Sequence, residues 1–119
     1  KEKITLDKLN KHIKRECKKL DINIKILQTH KEFQALNFLQ RNRNWADGLL
    51  IIPTSWARNN FNIFETINLI DIKTASIYFN NKFSFGTSLK DSIFLNKKIK
   101  SFDGEPIDIC SKALYYLSS

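Results

Sequence analysis

Valine and methionine are missing from all 119 residues, and glycine and proline contribute only three and two. Without a methionine, Lys1 is not a natural start, so the chain is expected to be processed or a fragment of something longer. The missing valine is matched by abundant Lys, Asn, Ile and Phe, residues with AT-rich codons. That bias suggests an AT-rich genome, such as that of a protist, an organelle or a reduced bacterium. Only two cysteines occur, Cys17 and Cys110, which excludes a disulfide-dense scaffold. Each lies on the apolar stripe of a predicted helix, so two buried thiols are expected, as fits a reducing compartment. His12 and His30 have no Cys or His partner at ligand spacing, and neither a metal site nor a cofactor is expected. No apolar run is long enough to cross a membrane and no signal peptide is seen, so no membrane partner is expected. The compartment stays open between cytoplasm and organelle (mitochondrion or plastid).

What is present describes one globular domain over residues 1–119. Hydrophobic residues make up 42% and charged residues 27%, a composition that folds rather than stays disordered. A single core can form at this length. Twenty Lys and Arg face twelve Asp and Glu, a net charge of +8. A domain this basic suits a polyanion, and the same excess also serves as a solvated surface.

Helical and extended patterns alternate along the chain. Thr5 can cap a helix from Leu6 to about Leu20, with Leu6, Leu9, Ile13, Cys17 and Leu20 on one face. Lys8, Lys11, Arg15 and Lys18 fall opposite, with Lys14 and Lys19 towards the edges. Ile22, Ile24 and Ile26 alternate as in a short strand. A second helix is predicted from Lys31 to Gln40, then a polar loop from Arg41 to Asn44. Leu49 to Ile52, closed by Pro53, reads as a strand buried on both faces, the mark of a parallel sheet between helix layers. A third helix spans about Phe61 to Leu69, and a strand runs from Thr74 to Phe79. Residues 80–92 read as irregular, and 92–102 as one or two short extended pieces. Asp103 to Pro106 forms a turn in which Pro106 opens a helix whose core stripe is Ile107, Cys110, Leu114 and Leu117. This order predicts an α/β fold with a mostly parallel sheet.

Four stretches, in order, resemble type II 3-dehydroquinate dehydratase. Ile4-Thr5-Leu6-Asp7-Lys8-Leu9 is similar to the family's first helix. Ile26-Leu27-Gln28-Thr29-His30-Lys31-Glu32 resembles its Gln-Ser-Asn-x-Glu-Gly strand-to-loop motif. Ala46-Asp47-Gly48-Leu49-Leu50-Ile51-Ile52-Pro53 resembles its Asp-Gly-(apolar)-Asn-Pro strand end. Ser76-Ile77-Tyr78-Phe79-Asn80-Asn81 stands where it has Glu-Val-His-(apolar)-Ser-Asn. The resemblance runs from about Ile4 to Leu117. It implies a flavodoxin-like three-layer sandwich whose first strand, with a loop bearing a Tyr and an Arg, would precede Lys1.

It also implies a chemistry, the loss of water from 3-dehydroquinate through an enolate. The loop Tyr takes a proton, an Arg lowers its pKa, a His protonates the leaving hydroxyl, and an Asn holds a water on the enolate. Position by position this chain departs from that set. The acid His becomes Tyr78, a phenol that keeps its proton until about pH 10 in ordinary peptides. The Asn before the Pro becomes Ile52, which cannot hydrogen-bond. The loop His becomes Arg58, the Glu that orients the acid becomes Ser76, and the substrate-binding Ser becomes Asn80. The late substrate-binding Arg falls at Leu89, next to Lys90. Glu32 and Asn81 are retained.

These departures predict a catalytically inactive relative, and fold alone does not carry function. Three readings follow. The first is a structural subunit of a larger assembly, such as the RNA-protein particle of an organellar ribosome. Its nucleic-acid contacts would be Lys8, Lys11, Arg15, Lys18, Arg41, Arg43 and Arg58. Trp45 and Trp56 could stack on bases, although core packing is the expectation for both. The second is an active dehydratase with an unusual site. The third is a protein-binding scaffold without nucleic acid. The expected partners are RNA or an acidic protein, together with other subunits, and a homo-oligomer if the family assembly is kept. The ancestral cleft is expected to be filled or apolar, with Arg58 the one residue suited to a carboxylate.

Overall fold

The structure, a computed structural model, describes residues 5–54, 56–79, 92–94 and 98–119. Its first helix, α1 (Leu6–Lys19), starts where Thr5 accepts the Lys8 backbone N–H on its hydroxyl at 3.2 Å. That bond satisfies one of the orphan donors of the first turn. Leu9, Ile13 and Cys17 are buried along the predicted stripe. Four more helices follow among the described residues, α2 (Glu32–Asn42), α3 (Trp56–Asn59), α4 (Phe61–Ile70) and α5 (Pro106–Ser118). Asn60 caps α4 by accepting the Ile63 N–H. Pro106 opens α5, where its missing N–H is no loss.

Among the described residues the sheet has three strands, β1 (Gly48–Ile51), β2 (Lys73–Tyr78) and β3 (Ile99–Asp103), in the order β1-β2-β3. Both pairings are parallel, with Gly48 opposite Lys73 and Thr74 opposite Ile99. Side-chain alternation then sorts the core into two layers. Ala75, Ile77 and Phe79 pack with Leu9, Ile13, Cys17, Ile109, Cys110, Ala113 and Leu114 on the α1 and α5 side. On the other side Leu39 of α2, Ile63 and Ile67 of α4, Phe94 and Ile99 form a second cluster, with Leu49 and Ile51 against it. The α/β fold with a parallel sheet between two helix layers is thus present.

Several expectations need correction. Residues 22–27 form no strand. Ile22 and Ile24 do lean on the first core cluster, but among the described residues no strand lies beside them to take their backbone bonds. The stretch from Leu49 is not buried on both faces. All four residues of β1 are half-buried, and among the described residues this strand has a neighbour on one side only. The polar loop begins later than expected, since α2 runs through Arg41 to Asn42. The stripe of α5 is rotated. Pro106, Ile109, Cys110, Ala113 and Leu114 are its buried residues, Leu117 packs half-buried against the first cluster, and Ile107 is exposed. The short helix α3 has no counterpart in the sequence pattern. The irregular stretch expected at residues 80–92 lies outside the described residues except for Ser92.

Candidate functional site

In open parallel sheets, ligands bind beyond the carboxyl ends of the strands. At that end β1 gives way to Ile52, Pro53 and Thr54, and β2 ends on Tyr78 and Phe79. Ile52 is half-buried and leans on the first core cluster, where a hydrocarbon belongs. Pro53 is fully buried, and its carbonyl accepts the Trp56 N–H at 3.0 Å. Thr54, with φ of 49°, bends the chain through the left-handed region between them. That turn launches α3, on which Arg58 is exposed.

The two faces of β2 differ in chemistry. Ala75, Ile77 and Phe79 face the first cluster, while Thr74, Ser76 and Tyr78 carry hydroxyls to the other side. All six are buried. Ser76 donates to the Tyr78 hydroxyl at 2.9 Å, two residues along the same face. The Tyr78 ring therefore leans back along its strand rather than projecting past its end. The Tyr78 and Ser92 hydroxyls are 2.7 Å apart, and Ser92 also accepts the Phe94 N–H at 2.9 Å. Because Ser76 spends its proton on Tyr78, the phenol's own proton is best placed on Ser92. Among the described residues, the proton of the chain that has no acceptor is then the one on Ser92. Across the sheet, Ser101 sits in register with Ser76, and its hydroxyl is buried with no partner among the described residues.

The residues singled out from the sequence do not converge into one charged cluster. Tyr78 is sealed in, with 1% of its surface exposed. Arg58 points to solvent, and Glu32, at the start of α2, is engaged by the Asn62 side-chain amide at 3.2 Å. Asn80, Asn81 and Leu89 lie outside the described residues. The hydroxyl chain itself went unread in the sequence, although the alternation Thr74-Ala75-Ser76-Ile77-Tyr78 was its signal. A shallow recess lined by Asp71, Lys73, Lys98 and Tyr116 lies at the opposite end of β2 and β3, away from these groups.

The basic residues divide as well. Lys8, Lys11, Arg15 and Lys18 share the exposed face of α1, joined by Lys14, which belongs to the same face. Arg41 and Arg43 sit apart, at the end of α2, where Arg43 donates to the Gln40 carbonyl. The expectation for the tryptophans holds for one of them. Trp56 packs on the second core cluster. Trp45 is exposed, with the Lys25 ammonium 4.3 Å from its ring centre, because the turn after α2 carries it off the core. Cys17 and Cys110 are free and buried as expected. Burial raises the Cys17 thiol pKa and pushes that of Cys110 up to about 12. Among the described residues no group of three His, Cys, Asp or Glu could hold a metal. No helix of the described residues is long and apolar enough to cross a membrane.

This arrangement has relatives. The 3-dehydroquinate dehydratase of Clostridium acetobutylicum is 32% identical over 77 residues, covering 65% of this chain and 54% of that protein. That of Thermoanaerobacter pseudethanolicus is 28% identical over 94 residues, covering 79% and 64%. The chain thus spans about half the length of the first of these and 64% of the second. The crystal structure of type II dehydroquinase from Propionibacterium acnes superposes with a TM-score of 0.81 at 16% identity, over 96% of this chain and 79% of that one. At that identity the match speaks for the flavodoxin-like fold. The model for class II dehydroquinase matches residues 2–108, nearly the whole sequence, and the chain belongs to that family.

Proposed function

We propose that the chain forms the body of a 3-dehydroquinate dehydratase and serves the loss of water from that substrate. The observation that carries this reading is the family match over residues 2–108. It includes both strand ends at which such a sheet binds ligands. Dehydration next to a carbonyl needs a base, a stabiliser for the enolate oxygen and a donor for the departing hydroxyl. The Ser76–Tyr78–Ser92 chain supplies a held donor, with Ser92 as the terminal hydroxyl that would meet a substrate hydroxyl. Arg58 is the cation suited to the substrate carboxylate.

A second reading is favoured by the sealing of Tyr78 and the placement of Ile52 against the core. In it the domain is kept without turnover, as a structural part of a larger assembly. Formation of the conjugated enone product, followed by absorbance with the protein in its natural length, separates the two. Turnover that falls when Ser92 is changed to Ala supports the dehydratase. A folded protein with neither turnover nor substrate binding overturns it and leaves the structural role.

A further inference from the structure

The outer face of α1 carries a concentration of charge that the dehydratase reading does not use. The helix holds six cations, Lys8, Lys11, Lys14, Arg15, Lys18 and Lys19, against Asp7 and Glu16. Half of the chain's excess of +8 therefore lies in fourteen residues. Glu16 is turned away from solvent and bound to Lys19 at 3.3 Å, while Lys19 itself is exposed. The side chains of Lys8, Lys11, Lys14, Arg15 and Lys18 are all exposed, and among the described residues none of these ammonium or guanidinium groups has a hydrogen-bond or ion-pair partner.

Helix stability does not account for this face. Lys18 and Lys19 suit the negative end of the helix dipole, but Lys8 and Lys11 stand in the first turns, at its positive end. Lys11 with Arg15, and Lys14 with Lys18, are like charges four residues apart, and such pairs destabilise a helix. The face repels itself until an anion covers it.

The kind of anion follows from what else the face lacks. Its exposed residues include no apolar or aromatic side chain. The exposed Phe33, Trp45, Phe61, Leu69 and Tyr115 all lie on other elements. A protein interface needs an apolar centre and is poor in lysine. A single strand of nucleic acid needs aromatic platforms. A bilayer needs an apolar face to receive, and here Leu9, Ile13 and Cys17 are already committed to the core. Double-stranded RNA is bound chiefly through its backbone and shape, and a row of cations running about 15 Å from Lys8 to Lys18 meets that need. We propose that the outer face of α1, through Lys8, Lys11, Lys14, Arg15 and Lys18, docks on the phosphate backbone of a nucleic-acid duplex.

The test is fluorescence anisotropy of a labelled mixed-sequence RNA duplex with the full chain over a salt series. Five phosphate contacts weaken binding on the order of 500-fold between about 50 and 200 mM salt. A variant with Lys8→Gln, Lys11→Gln, Lys14→Gln, Arg15→Gln and Lys18→Gln is expected to lose that binding. It should also melt above the parent, because the repulsion is relieved, so lost binding cannot be laid to unfolding. Arg41→Gln with Arg43→Gln should leave the salt slope unchanged. The proposal is overturned if the five-site variant binds as the parent does. It is also overturned if single-stranded RNA, phosphatidylserine vesicles or polyglutamate bind as tightly at equal charge.

Discussion

The Tyr78 hydroxyl lies 2.7 Å from that of Ser92, fourteen residues further along the chain, and both residues are buried. This contact fastens Ser92 to the end of the middle strand. Tyr78→Phe keeps the ring and removes the link, leaving Ser76 without its partner and Ser92 with the Phe94 N–H alone among the described residues. The expected cost is about 1–3 kcal/mol in urea unfolding. Combining it with Ser92→Ala should cost less than the sum of the two changes, because both remove one bond. Full additivity would show that the hydroxyls do not act together.

Cys110 gives stability a slope in alkali. Burial pushes its thiol up to about 12 from the ordinary 9.0. The folded state therefore keeps this proton where the unfolded chain releases it. The contribution is complete below the unfolded pKa and is lost as pH rises from there through the folded one. Between those limits stability should fall by about 1.4 kcal/mol per pH unit from this group. Cys110→Ala is expected to flatten the denaturation midpoint across that window. An unchanged slope would assign it to other groups.

Gly104 and Gly48 should respond differently to alanine. Gly104 sits at φ +143°, and a Cβ there would stand 3.2 Å from Cγ2 of Ile109. Gly104→Ala is expected to cost about 1–3 kcal/mol, since backbone strain adds to crowding. At Gly48 a Cβ meets the tip of Leu117 at 3.3 Å, which can shift, so the cost should be nearer about 1 kcal/mol. Thermal unfolding of the two variants gives the order directly.

Backbone amides between Ile24 and Leu27 should exchange with solvent quickly, while those of Thr74 to Ile77 should be protected. The first group makes no backbone bond among the described residues, and the second belongs to a strand paired on both sides. Hydrogen exchange resolved by peptide checks this. Equal protection would mean that an extended segment outside the described residues pairs with Ile24 to Leu27 and with the open side of β1.

The helices were the most legible part of the sequence. Thr5 and Pro106 start helices by local chemistry, and the stripe of Leu9, Ile13 and Cys17 needs no knowledge of distant residues. What was misread depends on neighbours. Ile22, Ile24 and Ile26 alternate as a strand does, yet a strand exists only when another lies beside it. Leu49 to Ile52 are apolar enough for a central strand and stand at the edge instead. Tyr78 was legible as a departure from the family's acid histidine. Its bond to Ser92 was not, because no pattern in a sequence reports a contact between side chains fourteen residues apart.

The two strand pairings also bear on how the chain finds its fold. Gly48 meets Lys73, and Thr74 meets Ile99, so each pairing closes a loop of the same length, 25 residues. The entropy of closing a loop depends mainly on that length, so neither edge of β2 has a head start. Within the first of these loops α4 forms from local contacts, and it shortens the search by which β1 reaches β2.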